Sequence, residues 1–364
     1  MKDIWHYSRT ELAKQILGLF ETGLSSSLVF FAPRRMGKTE FLQKDILPLA
    51  EKLGWKVMYL SFLGAQDARA FFLKGLSEFA SRISVTHKAT QLFKKIGKIG
   101  AGVGLVKAEI GFAGAESHDE LNHNIESLLS ELGKKHRILF LMDEIQILAA
   151  DKNNNGLISS FRTALDINKD QIKIIFTGSS QTELRKMFSE KSAPFFHFGQ
   201  NLPFPVLDQK FTDHLADVFK KVTQRTLNKD ELFKIFDEVQ RVPLLIRSLV
   251  ERLALHPDLK MREVQKSLLD EVFTDQDFSN IWAKYNLLDQ LILKELALEN
   301  SQLFMSSKRQ ELADILGLEE LSSSALQSAI SRLIRNGVIG KSEERSGYFI
   351  DDPHFKNWLK EEKF

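Results

Sequence analysis

The octapeptide Ala32-Pro33-Arg34-Arg35-Met36-Gly37-Lys38-Thr39 restricts this chain more than any other stretch, because of what flanks it. Leu28-Val29-Phe30-Phe31 before it suits a buried strand, and residues 38–50 after it carry Phe41, Leu42, Ile46 and Leu47 at helical spacing. A helix that starts at such a loop turns its unpaired N–H groups and the positive end of its dipole toward whatever the loop holds, so an anion is stabilised there. The segment therefore reads as a phosphate-binding loop, with Glu40 directly behind it. Lys38 reaches the β- and γ-phosphates of a nucleotide, and Thr39 offers its hydroxyl to Mg²⁺. Ala32 stands where the pattern G-x-x-x-x-G-K-[ST] has a glycine, and alanine adopts positive φ less readily. The chemistry rests on Gly37-Lys38-Thr39.

The rest of the chain is read for partners to this loop. At 364 residues there is room for two or three cores. Lys and Arg total 50 against 48 Asp and Glu, a formal net charge of +2, so attraction to nucleic acid needs a local basic face rather than a global one. Cysteine is absent, which excludes disulfides, thiolate metal sites and cysteine nucleophiles and suits a reducing cytoplasm. No apolar stretch approaches the roughly 18 to 20 residues that span a bilayer, and residues 1–6 lack an apolar leader, so the expected location is cytoplasmic, without stable membrane insertion. His118 and His123 fall off a common helical face and place no metal site.

Ser8 and Glu11 have capping-box spacing ahead of a helix that runs to Gly23. Trp5 or Tyr7 could stack on a nucleotide base; simple packing of the first helix satisfies both equally. Residues 56–62 read as a second strand and 67–83 as a helix. Residues 92–114 are rich in glycine and lysine, and the pattern fits either a two-stranded hairpin or a mobile insertion, here bounded at about 92–116. After a helix over 118–132, the uniformly apolar run 137–142 ends in Asp143-Glu144. A buried parallel strand that delivers two acids at its C-terminal end serves Mg-nucleotide chemistry, since ligands sit at that edge of an α/β sheet. Asp143 holds Mg²⁺ in this reading, and Glu144 orients and deprotonates the attacking water. A fourth strand over 171–176 ends in Thr177-Gly178-Ser179-Ser180, where Thr177 or Ser179 can sense a γ-phosphate or simply form the turn. Residues 201–206 supply a fifth strand whose prolines suggest an edge.

From 208 onward the patterning is helical: 211–222, 229–239, 243–255 and 261–273. A last module reads as helices over 286–299, 308–316 and 324–336, followed by two short strands at 338–341 and 348–350. That is winged-helix order, with Gly337 ending its third helix. The expected division is an ATPase core over 1–207, a helical lid over 208–278 and a winged-helix domain over 279–364.

Taken together, residues 33–39, Leu141-Met142-Asp143-Glu144, residues 177–180 and the closing Tyr348-Phe349-Ile350-Asp351-Asp352-Pro353-His354-Phe355 resemble the archaeal-type ATPase family. That family lies in the STAND branch of AAA-like P-loop ATPases, related to origin-recognition initiators. The resemblance spans almost the whole chain. It implies an α/β P-loop NTPase fold with a parallel sheet ordered 5-1-4-3-2, a helical lid, a C-terminal winged helix, and ATP switching linked to homo-oligomerisation. Two departures stand out. Arg241-Val242-Pro243 keeps the proline of a lid turn, placing Pro243 beside the adenine, but loses its glycine. Gln200 stands where an arginine is usual, leaving Arg185 or Arg162 to act in trans, so turnover is expected to be slow.

Two outputs follow. In the first, the winged helix binds double-stranded DNA through Ser328, Arg332 and Arg335, with Ser324, Gln327 and Ser331 on the same face and Lys341 and Arg345 in the wing. Residues 322–364 hold seven Lys or Arg against six Asp or Glu, a balance that predicts weak affinity from this module alone. In the second, the module binds a protein partner, and nucleotide exchange releases it.

Overall fold

The computed structural model describes residues 3–83, 86–105, 118–180, 183–184, 187–188, 193, 195–196, 198–275, 278–298, 302–342 and 347–361. Its centre is a five-stranded parallel sheet of β1 (Ser27–Phe31), β2 (Lys56–Ser61), β3 (Ile138–Asp143), β4 (Ile172–Gly178) and β5 (Gln200–Pro203) in the order β2-β3-β4-β1-β5. This is the expected 5-1-4-3-2 order. β3 and β4 are buried at every residue, as central parallel strands covered on both faces must be. Among the described residues β5 pairs only with β1, and it ends in Pro203, so the donor that proline lacks falls at an edge.

Alternation along the strands divides the core into two layers. Phe140, Met142, Ile174 and Phe176 face one side, against the helices Ala68–Ile83, His118–Gly133 and Asn155–Ile167. Leu28, Phe30, Leu139, Leu141 and Ile175 face the other, against α1 (Thr10–Glu21) and the helix that follows the phosphate loop. Four further helices fill out this second layer: Gln209–Thr223, Lys229–Glu238, Pro243–Leu255 and Met261–Asp275. Phe211, Phe219 and Phe236 from these helices join the same cluster as Phe30 and Phe41, so the helical segment and the sheet share one core. The C-terminal elements Leu287–Ala297, Ser306–Leu316 and Ser323–Arg335, the antiparallel pair Ile339–Ser342 and Gly347–Ile350, and Pro353–Glu361 surround a separate cluster around Leu293, Ile330 and Trp358.

The structure corrects three local expectations. The glycine-rich stretch is helical, not a hairpin, as far as it is described: a helix covers His87–Leu105 and packs on the helices Ala68–Ile83 and His118–Gly133. Tertiary packing of Ala89 and Ile96 overrides the low helix propensity of its glycines; residues 106–116 lie outside the described residues. The capping box at Ser8 does not form. Ser8 instead donates to the buried carboxylate of Asp45, which also takes the backbone N–H of Arg9, the N-cap residue. Finally, the helix after the loop is not uniform, since Lys38–Glu40 and Leu47–Lys52 are α-helical and Phe41–Ile46 between them is π-helical. Pro48 explains the change: its ring would clash with the carbonyl four residues back and it brings no N–H, so the upstream turn widens. The short helices Phe278–Ala283 and Pro353–Glu361 are not expected as helices from the sequence, although Pro353-His354-Phe355 stands in the closing motif.

Candidate active site

β1 delivers the chain into the loop, and the loop backbone then bends through two left-handed residues, Arg35 at φ 69° and Gly37 at φ 86°. A non-glycine residue with positive φ is costly, and such residues collect at functional sites. At Gly37 a side chain would meet open space, so the requirement there is conformational rather than steric. Lys38 begins the helix and is buried; its ammonium folds back onto the carbonyls of Ala32 at 2.6 Å and Pro33 at 2.9 Å. Burial pushes this lysine down to about 8, against the pull of Glu144 and Asp143. A buried cation held only by two carbonyls is suited to an incoming anion.

The parallel registers carry the two acids to the same edge. β3 lies between β2 and β4, with Ser61 opposite Asp143 and Phe176 opposite Met142. Asp143, almost fully buried, is the hub. Its Oδ2 accepts from the Thr39 hydroxyl at 2.6 Å and from the Tyr59 phenol at 3.2 Å, and its Oδ1 from the Thr177 hydroxyl. The Tyr59 phenol is pushed up to about 12 by its burial and then by Asp143. Glu144 follows with φ 56°, a second non-glycine residue in the left-handed region. Its Oε2 accepts from the Ser179 amide at 3.1 Å, the Ser179 hydroxyl at 2.8 Å and the Gln146 carboxamide at 2.5 Å. Arg34 Nε approaches the same Ser179 hydroxyl at 3.5 Å. Lys38, Thr39, Asp143, Glu144, Thr177 and Ser179 thus meet at one edge, although the sequence separates them by up to 141 positions.

Two cavities flank this edge. One, of about 30 Å³, is lined by Trp5, Tyr7, Gly37, Glu40, Pro243 and Arg247. Asp45 holds the N-terminal segment here, accepting from His6 at 3.2 Å and Ser8 at 2.6 Å. Burial alone would raise the Asp45 carboxyl; those hydrogen bonds outweigh it and hold the group below its ordinary value. Tyr7 packs edge-on against Phe211 at 5.8 Å, and Glu40 accepts from Arg247 at 2.9 Å and Lys44 at 2.7 Å. The other cavity, of about 320 Å³, has Arg34, Arg35 and Ser179 on one wall and Asp351, Asp352 and Phe355 of the C-terminal module on the other. Asp351 lies near enough to favour the charged form of Lys38.

Tyr59, Gln146, Arg247 and Asp351 are additions that sequence reasoning missed. Only Asp351 stood within a quoted motif, and none had a spacing that tied it to the loop. The proposed DNA-facing residues are not equivalent. Ser328, Arg335 and Lys341 are exposed, whereas Arg332 forms a two-pronged pair with the buried Asp289 at 3.0 and 2.7 Å. Arg332 is thereby committed to holding two C-terminal helices together. Arg345 and Arg185 lie outside the described residues. Arg162 lies over the Phe198 ring of its own chain, 5.6 Å from the centroid.

Among the described residues no helix is long and apolar enough to cross a membrane, and no group of His, Asp and Glu is arranged to hold a further metal. A family model described as an ATPase domain predominantly from Archaea matches residues 7–196. No curated protein matches the chain in sequence. Among solved structures, a Walker-type ATPase of Pyrococcus abyssi is similar over 98% of this chain and 96% of its own, with 17% identity and a TM-score of 0.64. The ORC2 protein of Aeropyrum pernix, solved in ADPNP-ADP complexes, is similar over 96% of this chain and 90% of its own, with 15% identity and a TM-score of 0.53. At these identities the likeness is one of fold.

Proposed function

The chain belongs to the family of ATPase domains found predominantly in Archaea, and from that premise we propose that it binds ATP with Mg²⁺ at residues 32–39, hydrolyses it slowly, and uses the γ-phosphate to set the position of its C-terminal module. The observation that carries this reading is the 2.6 Å bond from Thr39 to Asp143, which joins the phosphate loop to the acid-bearing strand. Two oxygen donors held that close suit Mg²⁺, a hard cation that takes one or two protein oxygens and completes its shell with phosphate and water. Thr39 and Asp143 would hold it; when bound, it neutralises charge on the phosphates. Loop N–H groups and Lys38 bind the phosphates. Thr177 orients Asp143. Glu144 takes a proton from the attacking water, and Ser179 orients Glu144. Pro243 and Arg247, with Trp5 or Tyr7, border the base. The division into core, lid and winged helix at 207 and 278 is part of the same proposal.

The test is phosphate release from ATP by the full chain, with and without Mg²⁺, beside Glu144→Gln. Mg-dependent turnover that the variant loses while keeping ATP affinity is the expected result. Equal turnover by both proteins would remove Glu144 from its role.

The C-terminal module is coupled to the nucleotide in this reading because Asp351 and Asp352 share a cavity with Arg34 and Arg35. A γ-phosphate competes with those carboxylates for the same cations. The same arrangement fits a signalling switch whose module is released to a protein partner. A second reading, ATP-controlled assembly and duplex DNA binding, is favoured by the exposure of Ser328, Arg335 and Lys341. Duplex binding by Glu144→Gln, with ATP against ADP across a salt titration, separates the two. ATP-dependent binding that falls steeply with salt supports DNA, and no binding at low salt with ATP retained supports a protein partner. Sizing the same samples tests ATP-linked homo-oligomerisation.

A further inference from the structure

Gln146 sits two residues past Glu144, at the start of the short helix Gln146–Ala149, and is only 6% exposed. Its carboxamide is held in one orientation. Nε2 donates to Glu144 Oε2 at 2.5 Å, so the carbonyl oxygen is turned away, and that oxygen is buried without a hydrogen-bond partner among the described residues. Turning the amide over would set Oε1 against the Glu144 carboxylate, which also only accepts. Room for this orientation comes from Gly178 at the end of β4. A Cβ there would run into Gln146 Oε1 and the Leu184 side chain.

A buried acceptor left unmade costs stability, and an apolar side chain of the same length would avoid that cost. The position therefore holds a residue that stability alone does not favour. What Gln146 provides in return is a third donor on one oxygen of Glu144, beside the two from Ser179. All three donors converge on Oε2. Oε1 receives none among the described residues. We propose that Gln146 is a positioning residue for hydrolysis: it locks Glu144 so that Oε1 is the oxygen presented to the attacking water, and Gly178 is the space that permits the lock. This rests on the reading of Glu144 as the base.

The test is Gln146→Met, which keeps the length and removes both polar atoms, measured beside wild type and Glu144→Gln. The expected result is a melting temperature unchanged or raised, ATP affinity unchanged, and kcat lowered by about 100-fold, the scale of a misplaced catalytic group. Gly178→Ala, which adds no polar atom and removes none, should lower kcat in the same direction by pushing the carboxamide aside. A Gln146→Met protein that melts lower but turns over at the wild-type rate would overturn the proposal and leave Gln146 a structural residue. If Glu144→Gln itself turns over normally, the base assignment fails first; if Glu144→Gln is inactive while Gln146→Met is not, only the present inference falls.

Discussion

The two ends of the candidate site are built differently. At the end near Trp5, Tyr7 and Pro243 the cavity is about 30 Å³, and Met36, Phe41 and Phe211 of its lining belong to the core that the sheet shares with the helical segment. At the end near Arg34 and Ser179 the cavity is about 320 Å³, and its far wall belongs to a module with a core of its own. Rearranging the first end means breaking a continuous apolar core. Displacing the second wall leaves both cores intact and costs the packing of the helix Pro353–Glu361 on the helix Met261–Asp275. If ATP lies as proposed, motion coupled to it is therefore expected at the γ-phosphate end, with the base end as the fixed reference.

Lys38→Ala breaks the comparison altogether, because it removes the buried cation that the proposed reading sets against the phosphates. Loss of about 4 kcal/mol of ATP binding, close to a thousandfold in affinity, is expected by calorimetry. Glu144→Gln acts on the wide end only, with a fall of about 100-fold or more in phosphate release and no change in affinity. Asp351→Asn sharpens the contrast. Removing one carboxylate from the wall facing Arg34 and Lys38 should tighten ATP binding by about fivefold, on the scale of a partly screened charge pair. Unchanged affinity would place the C-terminal module beyond the reach of the γ-phosphate. The smallest effect is expected at the narrow end, where Arg247→Ala removes a half-exposed ion pair with Glu40 worth about 0 to 1 kcal/mol of stability. A thermal melt of the nucleotide-free chain that drops by much more would show that this pair, and not the apolar core, closes the base end.

Much of the first layer of the site was legible because it is local. Gly37, Lys38 and Thr39 are adjacent, and their flanking strand and helix announce themselves by periodicity; Asp143 and Glu144 follow the most apolar run in the chain. What surrounds them was less legible. Ser179 reads as a turn former or a phosphate sensor, yet here it spends its hydroxyl and its amide on Glu144. Ser8 reads as a cap and instead serves Asp45 from 37 positions away. Arg332 reads as a base-contacting arginine and is held by Asp289. Each of these side chains has a local option and a long-range one, and local spacing cannot express that the long-range partner is a carboxylate, buried in the case of Asp45 and Asp289. A buried carboxylate needs its donors more than a solvated helix end needs a cap.

The sequence by itself determined the strands, the loop and the positions of the acids, because burial on both faces requires unbroken apolar runs and a phosphate loop requires its residues in order. Only the tertiary structure decided which polar atoms meet. Strand register placed Thr177 and Tyr59 on Asp143, the missing side chain of Gly178 made room for Gln146, and packing of the C-terminal module brought Asp351 to the loop. Those meetings depend on distances between elements far apart in the chain, and hydrophobic patterning fixes which face each element buries but not which polar groups its edge will find.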